Sequence, residues 1–440
     1  MLSALKSISM VWVGMLLGAG LSFATQALLA RTLSLDEYGL FSAINHFILV
    51  VTPLAGLGVG SYWLKKFGLS GWDGSRWVGT TLKLLTISVP LGLCIVIFGG
   101  RLIWTDPTAR TLLILLCPIL VMQTFNLAAC SRFQLEERYG VLSFWRTVPV
   151  MARFLISSVV FVMGYDVLRL GVGYCGAMSV LSIVGLALAY PLKTGNISLA
   201  GHGKRADWSQ PPQETRDSIA PGAVFKEMIP FASGSFFGLI YLQSDIFILS
   251  FLSGNEAAGL YNAAFAVMAA IYFIPAAIFN QFLLPKYHRW SAQDEDKLLS
   301  VFRFGNASML ILGLVAMVGV ILVSPYVIPM IFGDKFLATA EILSWLALCI
   351  PFRFISSSVG GCLVTKDNMK RKVFYQGTIA VINVMLNFML IPMYQAYGAV
   401  ISTVISEILL LATYLFGAQK HVFRSNVLRG WNLNWKAFSQ

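Results

Sequence analysis

Apolar residues in this chain come in long blocks separated by short polar ones. A bilayer-spanning helix needs about 20 mostly apolar residues. Twelve blocks approach or reach that length: 8–30, 39–60, 84–100, 111–130, 142–163, 170–190, 228–252, 259–284, 303–324, 340–364, 373–391 and 398–416. The pattern therefore predicts twelve transmembrane helices. The first block follows Lys6 and ends in small residues, Ala27 to Ala30, as a cleaved leader would. Its length, and a matching block in mid-chain, favour a permanent helix.

One polar elbow occurs twice. Residues 30–43, ARTLSLDEYGLFSA, join the first two blocks. Residues 252–263, LSGNEAAGLYNA, repeat the pattern about 220 positions later, half the length of the 440-residue chain. A repeat at that distance indicates two copies of one unit. The expected fold is an all-α polytopic membrane protein, with twelve transmembrane helices in two pseudo-symmetric six-helix bundles around a central cavity. The expected divisions are an N-terminal six-helix lobe at 1–190, a cytoplasmic linker at 191–227, a C-terminal six-helix lobe at 228–416 and a cytoplasmic tail at 417–440.

Composition agrees. Hydrophobic residues make up 57% and charged residues 12%, against roughly 25% charged in soluble domains. Mean hydropathy is +0.74. The net charge of +12 does not call for nucleic acid, because cytoplasmic loops of membrane proteins collect Lys and Arg. Counted over alternate loops, 24 Lys and Arg fall on one side and five on the other, the five being Arg31, Arg101, Arg110, Arg169 and Lys335. The asymmetry predicts both termini in the cytoplasm. The six cysteines show no CxxC spacing, so neither a disulfide framework, a metal site nor a cofactor is expected.

Charges inside the blocks narrow the function. Each costs about 2.5–3.5 kcal/mol at bilayer depth, so such groups face a cavity or a partner. They are Arg146 and Arg153 in the fifth block, Asp245 in the seventh, Arg353 in the tenth and Glu407 in the twelfth. Arg146 and Arg153 are two helical turns apart, on one face. Two readings stand. Arg353 with Glu407, or Arg153 with Asp245, form structural ion pairs. Alternatively, the arginines line an aqueous cavity with a cationic wall. The first half carries no carboxylate within a block, which disfavours a cavity for cationic drugs. Free guanidinium groups suit an anion, and phosphate above all. Gln26, Asn126, Asn383 and Asn387 are further deep polar groups, suited to sugar hydroxyls or to interhelical hydrogen bonds. Displacing the sequence by about 219 residues sets Gln26 over Asp245. Pro118 and Pro351, among other prolines inside blocks, are expected to kink their helices.

The segments LLARTLSLDEYGLFSAINHFI, GLGVG, GLYNAAFAV and NVMLNFMLIPMYQAYGAVISTVISE resemble the polysaccharide repeat-unit flippases of the multidrug/oligosaccharidyl-lipid/polysaccharide exporter superfamily. The resemblance covers essentially the whole chain and marks the family, not a binding site. Peptidoglycan-precursor flippases are a poorer match, because they resemble fourteen-helix proteins. The resemblance implies a bacterial inner-membrane transporter that is not an enzyme. It would move undecaprenyl-pyrophosphate-linked oligosaccharide units, of O-antigen or exopolysaccharide, by alternating access. In this reading Arg153, Arg146 and Arg353 attract the pyrophosphate, and Asp245 or Glu407 couples transport to an ion, protons or sodium. The alternatives are a multidrug or cation antiporter of the same superfamily, and an O-antigen polymerase or ligase. The second would need a large outward loop, and the outward loops here are short.

Overall fold

The computed structural model describes residues 2–201, 219–276, 287, 290, 294–364, 369–423, 427 and 430–431. Part of the expected linker, most of the C-terminal tail and two deep amides, Asn280 and Gln281, lie outside the described residues.

The described residues are mostly helical, and each expected block, as far as it is described, falls on one or two helices; residues 277–284 of the eighth block lie outside the described residues. These are α1 (Leu2–Thr32), α2 (Leu35–Gly56), α3 (Val59–Ser70), α4 (Ser75–Ile103), α5 (Pro107–Leu116), α6 (Pro118–Leu135), α7 (Tyr139–Met163), α8 (Val167–Ala189) and the short α9 (Pro191–Thr194). After them come α10 (Pro221–Ser253), α11 (Asn255–Ala276), α12 (Glu295–Phe332), α13 (Leu337–Leu346), α14 (Cys349–Cys362), α15 (Met369–Tyr394) and α16 (Ala396–Ala418). Ten helical stretches of the described residues are long and apolar enough to cross a membrane, eleven if the bent pair α13–α14 is one span. The stretch Leu35–Ile103 is one of the ten, yet it holds two expected blocks. A left-handed turn at Leu57 and Gly58 and a 3-10 turn at Gly71–Gly74 divide it. Resolved into those blocks, it brings the crossings to the expected twelve.

Two of the expected kinks are breaks. Pro118 opens α6, directly after α5 ends at Leu116. Pro351 lies in the first turn of α14, after a 50° bend from α13. Proline fits a first helical turn, where its missing N–H has no partner to lose. The fourth crossing of each half is thus two short helices. Pro53, Pro90, Pro149 and Pro275 do lie inside continuous helices.

The chain forms two compact units. The first contains Met1–Leu33 and Ile44–Leu239; the second contains Ser34–Ala43 and Ile240–Gln440. The division falls inside α10, and the first elbow goes with the second unit. In the first unit α6, α7 and α8 share a core of Ala129, Cys130, Phe133, Leu142 and Trp145. Small residues bring helices close there, as at Gly92 on Ala55 and Gly185 on the Phe125 backbone. Lys66 of α3 pairs with Glu227 at 2.6 Å.

In the second unit the two elbows meet. Ser34 caps α2 reciprocally with Glu37: Glu37 N donates to Ser34 Oγ at 3.2 Å, and Ser34 N donates to Glu37 Oε2 at 2.9 Å. A Cβ on Gly39 would collide with the Asn255 carbonyl, and one on Gly259 would lie 3.3 Å from the Gly39 Cα. Asn262 Nδ2 donates to Tyr38 Oη and to Ser42 Oγ, both at 2.9 Å. Gly39 and Gly259, like Ser42 and Asn262, are equivalent positions of the repeat. Equivalent residues touching each other is the geometry of a two-fold contact.

Gly39→Ala should lower stability by about 1–3 kcal/mol, the range for overpacking. Gly176→Ala, with nothing within 4 Å of its Cβ, should be near neutral. Thermal melting of the detergent-solubilised protein compares them; equal melting temperatures would contradict the close approach.

Candidate functional site

The second unit holds a buried carboxylate with no cation. Asp245 of α10 is 4% exposed and makes no ion pair among the described residues. Its Oδ2 accepts from Tyr261 Oη at 2.9 Å and lies 2.7 Å from Thr403 Oγ1. Its Oδ1 accepts from Asn387 Nδ2 at 2.6 Å. Asn387 Nδ2 also reaches Asn383 Oδ1 at 3.2 Å, and Ser244 Oγ reaches the same oxygen at 3.3 Å. Asn383 and Asn387 meet because they are four apart on α15. Two buried atoms of this cluster have no hydrogen-bond partner: Asn387 Oδ1 and Asn383 Nδ2. An anionic oxygen cage containing an unfilled acceptor can take a small cation or a proton. No group of three or more His, Cys, Asp or Glu that could hold a metal ion occurs among the described residues. The cage oxygens are carboxylate, amide, hydroxyl and phenol.

A second buried charge group lies in the same unit. Arg353 Nη1 of α14 is 3.3 Å from Glu407 Oε1 of α16. The guanidinium carbon lies 5.6 Å from the Tyr241 ring centroid and 5.4 Å from that of Tyr272. Two aromatic faces and a carboxylate thus answer one cation. Of the two readings the sequence left open for Arg353, the geometry is that of the ion pair with Glu407. It also changes Glu407, whose Oε1 is held by Arg353 while Oε2 is buried without a partner. Tyr241 lies one helical turn before Asp245 on α10, so the two groups are near neighbours along one helix.

In the first unit the arginines differ. Arg153 of α7 lies 6.0 Å from the centroid of the Tyr174 ring of α8. The Tyr174 hydroxyl is 3.0 Å from Ser157 Oγ. Arg153 Nε and Nη2 are buried without a hydrogen-bond partner, and no carboxylate pairs with it among the described residues. Arg146, seven residues earlier, is exposed and lines a small cavity against α1. The two arginines meet different neighbours, with Pro149 between them on α7. Gln26 on α1 and Asn126 on α6 are each half-buried, and Asn126 Oδ1 has no partner.

Sequence reading found Asp245, Asn383 and Asn387 but not Tyr261, Thr403, Tyr241 or Tyr272. Tyr and Thr are ordinary in membrane helices, so neither stands out. The one available signal was Tyr261, which sits inside the repeated elbow motif.

These features define a multi-pass helical membrane protein of two units, with a caged carboxylate in the second and an unanswered arginine in the first. The chain belongs to the polysaccharide biosynthesis protein family, whose model matches residues 4–288. It is 21% identical over 356 residues to the lipopolysaccharide biosynthesis protein WzxC of Escherichia coli (strain K12), covering 79% of this chain and 67% of WzxC. It is 22% identical over 403 residues to the probable low-salt glycan biosynthesis flippase Agl15 of Haloferax volcanii, covering 90% of this chain and 79% of Agl15. Its fold is similar to that of the lipid II flippase MurJ in an inward closed conformation, with a TM-score of 0.73 at 14% identity over 93% of this chain and 87% of MurJ. Solved MATE multidrug transporters share the fold at TM-scores from 0.53 to 0.66.

Removing one partner of a buried ion pair costs about 3–5 kcal/mol, because the other is left as an unanswered charge. Arg353→Gln and Glu407→Gln should each destabilise the protein strongly, and the double substitution by less than their sum. Thermal melting of the three variants tests this; strict additivity would mean the pair is not formed.

Proposed function

We propose that this chain is a lipid-linked oligosaccharide flippase. Its substrate is an undecaprenyl-pyrophosphate-linked polysaccharide repeat unit, moved from the cytoplasmic to the periplasmic leaflet of the bacterial inner membrane. Both termini are cytoplasmic, in keeping with the 24 to five division of loop cations. The observation that carries the reading is Arg153, a membrane-embedded guanidinium with two buried nitrogens, Nε and Nη2, unanswered. Such a group is costly at rest and is offset when an anion arrives. Pyrophosphate suits it, because guanidinium binds phosphate oxygens in a fork. Family membership and the flippase name of one relative support the same substrate class. Gln26 and Asn126 are the candidate groups for sugar hydroxyls.

Transport is coupled to a cation at Asp245. Asn383, Asn387, Tyr261 and Thr403 complete that site, and filling it or emptying it changes the charge buried between α10, α15 and α16. Arg353 and Glu407 act as a fixed pair that holds α14 on α16. This geometry favours an ion-coupled transporter over a polymerase or ligase. Against a multidrug antiporter stands the absence of a carboxylate inside the apolar blocks of the first half.

Arg153→Gln should cut translocation of the lipid-linked oligosaccharide at least about tenfold, the effect of losing roughly 1.4 kcal/mol of charge-assisted binding. Arg153→Lys should retain part of it. Flipping in proteoliposomes, with correct folding verified, reads this out, and efflux of a cationic dye runs beside it. Unchanged flipping in Arg153→Gln, or dye efflux without flipping, would sink the reading.

A further inference from the structure

In the second unit α14 and α16 run side by side in one direction, and their contacts keep one register. Arg353 Nη1 lies 3.3 Å from Glu407 Oε1. A Cβ on Gly360 would lie 3.0 Å from Tyr414 Cε2, and one on Gly417 would lie 3.2 Å from Leu363 Cδ2. Each of these pairs is 54 positions apart, so the helices are parallel and the seam does not slip. Arg353 and Gly360 are seven residues apart, nearly two turns, and share a face of α14. A second cation reaches the same seam from α15: Lys372 Cε is 3.6 Å from the Gly360 Cβ position. Lys372 pairs with no carboxylate among the described residues.

The caged carboxylate lies above this seam and off-centre in the membrane. Asp245 of α10, Tyr261 of α11, Asn387 of α15 and Thr403 of α16 are each six to eight residues from the outward end of their helix, or about 9–12 Å at 1.5 Å per residue. The opposite ends are about 22–36 Å away on the same scale. One turn from the cage toward those far ends lies Arg353. Its partners Tyr241 and Glu407 each sit four residues inward of a cage member, Asp245 and Thr403. With Tyr272 of α11, residues of α10, α11 and α16 close around a guanidinium supplied by α14. The charges on the two sides therefore differ. Inward of the cage stand Arg353 and then Lys372. Outward of it, residues 246–260 and 388–402 contain no Lys or Arg, and the cover includes Ile391 and Ala399, both fully buried.

We propose that Arg353, held in place by Glu407, is the barrier that closes the cytoplasmic route to the Asp245 cage, so that the cation exchanges with the outward side alone; the proposal rests on the cation site and the orientation read above. A cation leaving the cage inward meets a like charge at the first turn, and a fixed guanidinium is a known kind of barrier to cations and protons in membrane pores. Glu407 cancels the distant field of Arg353, yet an ion on the seam meets the guanidinium itself, and Lys372 stands behind it. The outward cover is short and uncharged. It delays a cation only until it moves aside. The pair thus keeps the cage from leaking cations through the second unit.

The test uses the full-length protein in proteoliposomes sorted by orientation and adsorbed to a solid-supported membrane, with no oligosaccharide present. A jump in sodium chloride, or in pH, is applied to one face, and the charge displaced by cation binding is recorded. A jump at the outward face should displace charge in the wild type and not in Asp245→Asn. A jump at the cytoplasmic face should displace it about tenfold more slowly, a barrier difference of roughly 1.4 kcal/mol. Arg353→Gln combined with Glu407→Gln should bring the cytoplasmic response up to the outward rate. Arg353→Lys, which keeps the charge, should leave it slow; a fast response there would overturn the barrier. Equal rates at the two faces of the wild type would overturn it as well, as would a folded double variant whose cytoplasmic response stays slow. If the double variant fails to fold, the comparison of faces in the wild type and Arg353→Lys still decide. Displacement that depends on Asp245 but is equal from both faces would leave the cation site and refute the barrier. No displacement dependent on Asp245 from either face would refute the cation site itself, and the barrier with it.

Discussion

A charge inside a membrane protein must be answered by something, because hydrocarbon will not do it. This chain answers its deep charges in three ways. Glu407 and two tyrosine rings surround Arg353. Neutral hydroxyl and amide donors surround Asp245. Arg153 is left with two donor nitrogens open. The three solutions suit three tasks. A matched pair is strong while both partners are present and costly once one is lost, which fits a fixed brace between helices. A carboxylate held only by neutral groups keeps its negative charge available to a cation. An open guanidinium keeps its donors for an anion. The proposed division of labour, cation in the second unit and anionic substrate in the first, follows from these local solutions.

The duplicated elbow shows how the same chemistry serves architecture. Its two copies bring Gly39 against Gly259 and Ser42 against Asn262. Each contact joins a position to its own repeat equivalent. Glycine is required there because the backbones themselves touch. The reciprocal Ser34–Glu37 cap fixes where α2 begins, and so fixes which residue of the helix arrives at the crossing.

Much of this was legible in the residues. Block length and alternating loop charge gave the helices, and the elbow repeat gave the duplication. Asp245, Asn383 and Asn387 stood out as polar groups in apolar blocks, with the two amides four apart. What could not be read was the partner of each group. Arg353 and Glu407 are 54 positions apart, and sequence offered their pairing only as one of two readings. Thr403 carries no signal as a ligand, since a threonine hydroxyl in a membrane helix more often bonds its own backbone, as Thr403 also does with the Ala399 carbonyl; Tyr261 is marked only by its place in the repeated elbow. The division inside α10 was equally hidden, because that helix is apolar on both sides of it. The prolines were read as kinks; Pro118 begins α6 and Pro351 sits in the first turn of α14.

The account stands most directly on the link between the caged carboxylate and movement of the anionic substrate. Flipping of lipid-linked oligosaccharide in proteoliposomes, under imposed sodium or proton gradients, measures it for the wild type and for Asp245→Asn. The account predicts that one gradient accelerates the wild type and leaves Asp245→Asn unaffected. Flipping that ignores both gradients in the wild type, or responds identically in Asp245→Asn, would contradict it.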